Sequence, residues 1–209
     1  MLLIKAMKIK LKLLFLLGLA ISGFSQRCKY ELHQVSQEVM YLPLKYEFEK
    51  NLLKIESDTV FLRTDGKVLT FINHGENTDD ILQEKFTYIG YLKKIGHHLI
   101  EVKGYESTTY LLINQKNADK VDLWSRPILN SSWSQIATVS GNLKYDGIFN
   151  GIQIFNVLNG NIKKECELIF SKFEVEKATW VKKDNLLIKT MRYSGSNRKY
   201  KNYLLSIIH

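Results

Sequence analysis

The residues best suited to binding chemistry lie near the C-terminus, where positive charges alternate with tyrosines. The stretch Arg192–Tyr203 contains four cationic side chains and three tyrosines. Such a mixture suits an anionic ligand, since cations follow phosphates and aromatic rings stack on flat groups. The alternative is a solvated hairpin whose cations protect an edge strand from aggregation. The candidate ligand-binding residues are Arg192, Tyr193, Arg198, Lys199, Tyr200 and Lys201.

Acidic and nucleophilic residues form no recognisable catalytic motif, and we name no catalytic residue. The chain contains neither Gly-x-Ser-x-Gly nor a glycine-rich phosphate loop. An exported hydrolase acting on glycans remains an alternative, because a catalytic pair needs only two carboxylates roughly 5–10 Å apart across a cleft. The candidates for such a pair are Glu101, Glu106, Asp146 and Glu174.

Metal and cofactor sites are not indicated by the spacing of the histidines and acids. His97 and His98 are adjacent, so on a strand they point to opposite faces, one inward and one outward. The acidic stretch 74–80 lacks the alternating oxygen ligands of a calcium loop. Trp124, Trp133 and Trp180 could form a sugar platform, but core packing explains them better. We expect no metal and no cofactor.

The two cysteines leave two interpretations open. Cys28 and Cys166 could form a disulfide in an oxidising compartment. Cys166 could instead be a small core residue, because it shares a strand face with Leu168 and Phe170. Neither cysteine has the Cys-x-x-Cys partner that zinc or redox chemistry would favour.

The N-terminus has the features of a secretory signal peptide. Four lysines without an acid precede an apolar run, Leu13–Ile21, and small residues follow before Gln26. This run is too short to span a bilayer, which takes about 20 apolar residues. We therefore expect residues 1–26 to be removed and residues 27–209 to form a single exported domain, periplasmic or extracellular, without a transmembrane span. Export argues against a nucleic-acid partner.

The rest of the chain predicts an all-β fold of antiparallel hairpins. Short apolar runs rich in β-branched and aromatic residues are bounded by Gly, Asn, Asp and Ser. Asp65-Gly66 lies between two such runs and suits a type I′ turn. Further hairpins are predicted over 98–113, 135–157 and 185–208, and Asn159-Gly160 turns the chain into 162–170. At most one short helix is expected, over Asp79–Phe86.

The hairpins repeat with a period near that of propeller blades. Tyr110–Asn114 and Ile152–Asn156 stand 42 residues apart, and Ser132-Trp133 and Thr179-Trp180 stand 47 apart. Together with 127–137 and 178–186, these segments resemble bacterial β-propeller repeats of the WD40 type over residues 88–209. The resemblance implies blades of four short strands, in a small or partial propeller. The Trp-Asp signature of that family is absent.

These features together predict a binding or structural protein. We expect an exported, non-enzymatic protein that contacts a protein partner or an anionic component of the cell envelope. A propeller-like fold supports many functions, so the fold alone does not select the ligand.

Overall fold

A computed structural model of the protein describes residues 28–40, 44–74, 83–141, 150–194 and 196–208. These ranges form fifteen antiparallel strands and one 3₁₀ turn, Lys50–Leu52, so the predicted all-β fold is confirmed. In the described ranges, no helix has the length and apolar character needed to cross a membrane. The predicted signal peptide lies outside the described residues.

The strands form four sheets, numbered here in chain order. Sheet 1 has three strands: β2 (Leu53–Glu56), β3 (Thr59–Arg63) and β4 (Val68–Ile72). Sheet 2 has four: β5 (Glu84–Leu92), β6 (His97–Gly104), β7 (Thr108–Asn114) and β8 (Lys120–Leu123). Sheet 3 has four: β9 (Ile128–Leu129), β10 (Gln135–Ser140), β11 (Gly151–Leu158) and β12 (Asn161–Ile169).

Sheet 4 combines both ends of the described chain. It contains β13 (Glu174–Lys182), β14 (Asn185–Ser194), β15 (Asn197–Ile208) and, at its edge, β1 (Lys29–Val35). β1 pairs with β15 over seven residues, from Lys29 opposite Ile208 to Val35 opposite Asn202. The first strand thus completes the sheet formed by the last three, which ties the two ends of the domain together.

Each sheet packs on the next through its apolar side chains. In sheet 3, Ile136 and Phe155 belong to the cluster shared with sheet 2, whereas Ala137 and Ile154 belong to the cluster shared with sheet 4. This division follows from the alternation of side chains along a strand. A third cluster joins sheets 1 and 2 through Val60, Leu62 and Ile100. Sheets 2 and 3 are therefore buried on both faces.

The burial of both faces corrects the interpretation of the paired histidines. His97 and His98 do point to opposite faces of β6, but both are buried, with 2% and 0% of their surface exposed. The prediction of one inward and one outward histidine is wrong, because sheet 2 has sheet 3 on one side and sheet 1 on the other.

The turn between β3 and β4 also differs from the prediction. Asp65-Gly66 is a two-residue loop, since Thr64 N–H donates to Lys67 O at 2.9 Å. Neither residue has a positive φ, so the predicted type I′ turn is wrong here. Gln115 of sheet 2 holds the loop instead: Asp65 N–H donates to its backbone oxygen, and its amide donates to Asp65 Oδ1. A left-handed pair occurs at Asn159-Gly160, with φ of 51° and 76°.

The predicted short helix is wrong where the structure describes it. Glu84–Phe86 begin β5, while residues 79–82 lie outside the described ranges. Backbone pairing explains the extended conformation. Glu84 exchanges two hydrogen bonds with His74, and Phe86 N–H donates to Asn73 Oδ1 at 2.7 Å.

Cys28 and Cys166 form a disulfide in the structure, with their Cα atoms 5.6 Å apart. Cys28 directly precedes β1 of sheet 4, and Cys166 lies on β12, the outermost strand of sheet 3. The bond therefore connects the edges of two neighbouring sheets. The two cysteines are 138 residues apart in the sequence. Cys166 is also a buried member of the cluster between these sheets, so both interpretations of this residue apply.

Removing the disulfide is expected to destabilise the domain. The closed loop is long, so C28S/C166S should lower the free energy of unfolding by roughly 2–5 kcal/mol, as measured by urea denaturation. A reducing agent should bring the wild type to the same value and leave the double variant unchanged. A wild-type midpoint that does not move on reduction would contradict this prediction.

Candidate functional site

The predicted binding residues lie on a two-stranded ribbon that extends beyond the rest of sheet 4. β13 begins at Glu174, opposite Met191, and β1 ends at Val35, opposite Asn202. Residues 192–194 of β14 and 197–201 of β15 therefore pair only between these two strands, and each of them is exposed. We call these residues the ribbon. All six candidate ligand-binding residues belong to it.

One face of the ribbon carries three cations. Arg192 lies directly opposite Lys199, and Lys201 follows two residues later on the same face. The Arg192 guanidinium lies 5.7 Å from the centre of the Phe173 ring, at a cation–π distance. Lys201 Nζ donates a hydrogen bond to Gln34 Oε1 at 3.2 Å. Like charges directly opposite each other destabilise a strand pair, so this face favours a bound anion.

The other face of the ribbon combines tyrosines with an arginine. Tyr193 lies opposite Arg198, and Tyr200 lies opposite Met191, so all four share a face. The Arg198 guanidinium lies 5.9 Å from the Tyr193 ring centre. The phenol of Tyr200, and then that of Tyr193, raises the pKa of Arg198. Tyr193 and Tyr200 keep 39% and 45% of their surface exposed.

Lys189 belongs to this tyrosine face, although sequence reasoning missed it. Its Nζ lies 4.3 Å from the Tyr200 ring centre and 3.4 Å from Glu176 Oε2. The alternation of strand residues could have found it, because Lys189 and Tyr193 are four residues apart on one face.

The charge of the ribbon is not balanced from within its own strands. Neither β14 nor β15 contains an aspartate or a glutamate. Among the ion pairs between described residues, none involves Arg192, Arg198, Lys199 or Lys201. Because the cations are exposed and lack acidic partners in that part of the chain, they remain available to an anion from outside.

Those carboxylates named for a hydrolase that the structure describes are spread over sheets 2 and 4. Glu101 lies on β6 of sheet 2, where Tyr110 Oη donates to its Oε2 at 2.7 Å and Arg126 lies 3.6 Å from it. Glu174 is buried at the start of β13 in sheet 4, and Glu106 lies between β6 and β7. Asp146 lies outside the described residues. The structure thus offers no observation that favours glycan hydrolysis.

A chain of hydrogen bonds runs from the buried His98 through Gln115 to Asp65 and connects sheets 2 and 1. Gln115 Nε2 donates to Asp65 Oδ1 at 2.7 Å, so Gln115 Oε1 accepts from His98 Nε2 at 2.5 Å. His98 Nδ1 therefore accepts from Tyr88 Oη at 2.9 Å. Burial lowers the pKa of His98 and raises that of Tyr88, which keeps both side chains neutral. With 0% exposure His98 is inaccessible to a substrate, so its role is to hold the two sheets together.

Two clefts elsewhere in the structure are less suited to an anion. A cleft of about 250 Å³ between sheets 3 and 4 is lined by Trp133 and Trp180. Both tryptophans also pack on core clusters, which agrees with the packing role that we predict. A second cleft, of about 440 Å³, contains three lysines. Lys93 lies 3.6 Å from Glu47, and Asp65 also lines the cleft, so acidic side chains balance part of its positive charge.

Among the residues that the structure describes, no group of three His, Cys, Asp or Glu side chains could hold a metal ion. The chain matches no known protein-family model, no curated protein and no solved structure. What the protein binds must therefore be argued from its own residues.

The buried histidines predict an acid-sensitive fold. Burial lowers the pKa of His97 and His98 in the folded protein, while the unfolded chain takes up protons below about pH 6.5. Because the unfolded state then binds more protons, the free energy of unfolding should fall as the pH falls from about 6.5. Urea denaturation at a series of pH values measures this slope.

Variants at single histidines separate the causes of that slope. H98Q should be less stable than the wild type at neutral pH and should show a shallower loss on acidification. H33Q replaces an exposed imidazole that lies 3.4 Å from Glu31 and serves as the control at an exposed site. A steep acid dependence that is unchanged in H98Q would show that His98 does not contribute.

Proposed function

We propose that the protein is an exported, non-enzymatic binding protein whose ribbon holds an anionic component of the cell envelope. The observation that carries this proposal is the pairing of Arg192 with Lys199 on a projecting strand pair, with Lys201 beside them and no acid in either strand. Opposed cations repel each other, and an anion between them converts that repulsion into attraction. The partly exposed tyrosines of the opposite face hold Arg198 and Lys189 at cation–π distances, which adds positive charge to the ribbon.

Export is supported by two independent features of the chain. The first is the basic and apolar N-terminal sequence, which is typical of a secretory signal peptide. The second is the disulfide between Cys28 and Cys166, since disulfides persist mainly outside the cytoplasm. An exported protein meets phosphate, sulfate and carboxylate groups on lipids and glycans of the envelope, which is the chemistry that the ribbon suits.

The arrangement of the sheets supports a partial β-propeller as the scaffold for this ribbon. Three of the four sheets have four strands, and the strands of each sheet follow one another in space as in sequence. β1 completes the last sheet, so both ends of the described chain lie in one blade. Successive sheets share apolar clusters, whereas no such cluster of described residues joins sheets 1 and 4. We therefore propose an open arc of blades rather than a closed ring.

Binding to anionic vesicles tests the function directly. The exported form of the protein should sediment with vesicles that contain phosphatidylglycerol and stay in solution with phosphatidylcholine alone. Each cation near an anionic surface contributes about 1 kcal/mol, so R192Q/K199Q/K201Q should weaken binding by roughly 100-fold. A parallel titration with heparin, a soluble anionic polysaccharide, distinguishes a glycan ligand from a lipid headgroup.

A charge-matched control variant separates the ribbon from the general positive charge. K103Q/K182Q/K183Q removes three exposed lysines outside the ribbon and should bind within a few-fold of the wild type. Equal losses in the two triple variants would mean that net charge alone drives binding. Failure of the wild type to bind either probe would reject the anionic ligand and favour a protein partner.

A further inference from the structure

The cleft of about 440 Å³ lies where turns of three successive sheets meet. Asp65 lines it from the turn between β3 and β4, and Tyr91 lines it from the end of β5. The remaining walls come from the turn at 93–96 that follows β5, the turn at 114–117 that follows β7, and residues 159–161 between β11 and β12. The structure describes each of these turns without a gap, so the walls are continuous.

Hydrogen bonds between these turns hold the walls of the cleft in place. Asp65 N–H donates to Gln115 O at 2.8 Å, and Gln115 N–H donates to Gly96 O at 2.9 Å. Asn114 Nδ2 donates to Gly160 O at 3.0 Å, which links sheet 2 to sheet 3. A site that is already held in one shape loses little conformational freedom when a ligand binds, and this favours affinity.

A glycine keeps the cleft open in front of Tyr91. Gly96 has a φ of 68°, and a Cβ atom here would lie 3.9 Å from Tyr91 Oη, so a side chain would fill this space. The Tyr91 ring lies against that of His98, with their centres 4.7 Å apart, which fixes its orientation. Burial, and then the charge of Asp65, raises the pKa of Tyr91, so its hydroxyl stays protonated and can donate a hydrogen bond.

The unengaged groups of the cleft both donate and accept hydrogen bonds. Asn159, Asn161 and Lys116 are exposed, and their side chains have no hydrogen bond or ion pair with other described residues. Asp65 Oδ1 accepts from Gln115 Nε2 at 2.7 Å, and a carboxylate has further lone pairs that can accept. Amides both donate and accept, as hydroxyl groups do, whereas the cations of the ribbon only donate. The cleft therefore matches a hydroxyl-rich ligand better than a phosphate or a sulfate.

We propose that this cleft binds a saccharide unit of the cell envelope through its hydroxyl groups. Its volume of about 440 Å³ lies in the range of roughly 300–1,000 Å³ that is typical of small-molecule sites. Adjacent hydroxyls of a sugar ring accept from the phenol and the lysine and donate to the carboxylate and the amide oxygens. The proposal shares with the proposed function only the export of the protein, because the ribbon takes no part in it.

The cleft and the ribbon lie at opposite ends of the sheets. Gln135 pairs with Asn156, near the turn at 159–161, and its amide donates to Asp184 Oδ1 at 2.6 Å. Asp184 directly precedes β14, whereas the ribbon is formed by the end of that strand. One molecule can therefore hold a saccharide at one end and an anion at the other, which connects two components of the envelope.

Saturation-transfer NMR provides the test. The exported form of the protein is mixed with maltotriose, triacetylchitotriose or trigalacturonate, each at about 1 mM, which suits dissociation constants of that order. At least one of these trisaccharides, of which the first two are neutral and the third is acidic, should receive saturation from the protein. Y91F/K116Q removes a hydroxyl and an ammonium but keeps the ring against His98, and it should weaken binding about tenfold.

Two control variants keep the result interpretable. Y105F/K103Q removes the same two groups from exposed positions at the far end of sheet 2 and should bind the trisaccharide as the wild type does. R192Q/K199Q/K201Q should also bind it as the wild type does, so a failure of the ribbon and a failure of the cleft are separate results. Circular dichroism confirms that each variant is folded.

Three results would overturn the proposal. The first is that none of the three trisaccharides receives saturation. The second is that Y91F/K116Q binds as tightly as Y105F/K103Q. The third is that only trigalacturonate binds and that R192Q/K199Q/K201Q abolishes this binding, which would assign the acidic saccharide to the ribbon.

Discussion

The structure depends on the apolar contacts between sheets that follow one another in the chain. A sheet of three or four short strands has two faces, and an exposed apolar face is unfavourable in water. Sheets 2 and 3 avoid this exposure because each is covered on both sides, and each of their central strands buries at least half of its residues. The hydrogen bonds at His98 add to the contact between sheets 1 and 2. The disulfide at Cys166 adds a covalent link between sheets 3 and 4.

The stacking of sheets also determines where the protein is open to partners. The central strands of the two middle sheets contribute mainly to the core, so the accessible side chains of these sheets lie mostly on their outer strands and in the turns. The ribbon arises because β14 and β15 are longer than the strands on either side of them. Its cations are exposed for the same reason that it projects, since neither neighbouring strand reaches far enough to cover this part of β14 and β15.

The fold class and most hairpins could be predicted from the sequence because they depend on local alternation. The strand pairs at 98–113 and 185–208 have clear apolar runs with polar turns between them, and the structure has them where they are predicted. The outcome for His97 and His98 could not be predicted, because it depends on which sheets cover sheet 2. The conformation of Asp65-Gly66 depends on Gln115, which is 50 residues away. Glu84–Phe86 are extended because they bond to the segment that follows β4. The local sequence, from which a helix is predicted, carries no information about this contact.

The candidate site was partly accessible to sequence reasoning. The alternation of cations and tyrosines identified the six residues, and strand pairing places all of them on one projecting element. The sequence did not show how far β14 and β15 extend beyond their neighbours, nor that Arg192 faces Lys199, because both depend on the register.

The most direct test of the account is a backbone chemical-shift titration of the exported protein with phosphatidylglycerol nanodiscs and with heparin oligosaccharides. The account predicts that the largest shifts with at least one of them fall at residues 192–194 and 197–201. It also predicts that the amides around Trp133 and Trp180 stay unchanged. Shifts concentrated at the tryptophan-lined cleft, with the ribbon unaffected by both ligands, would contradict it.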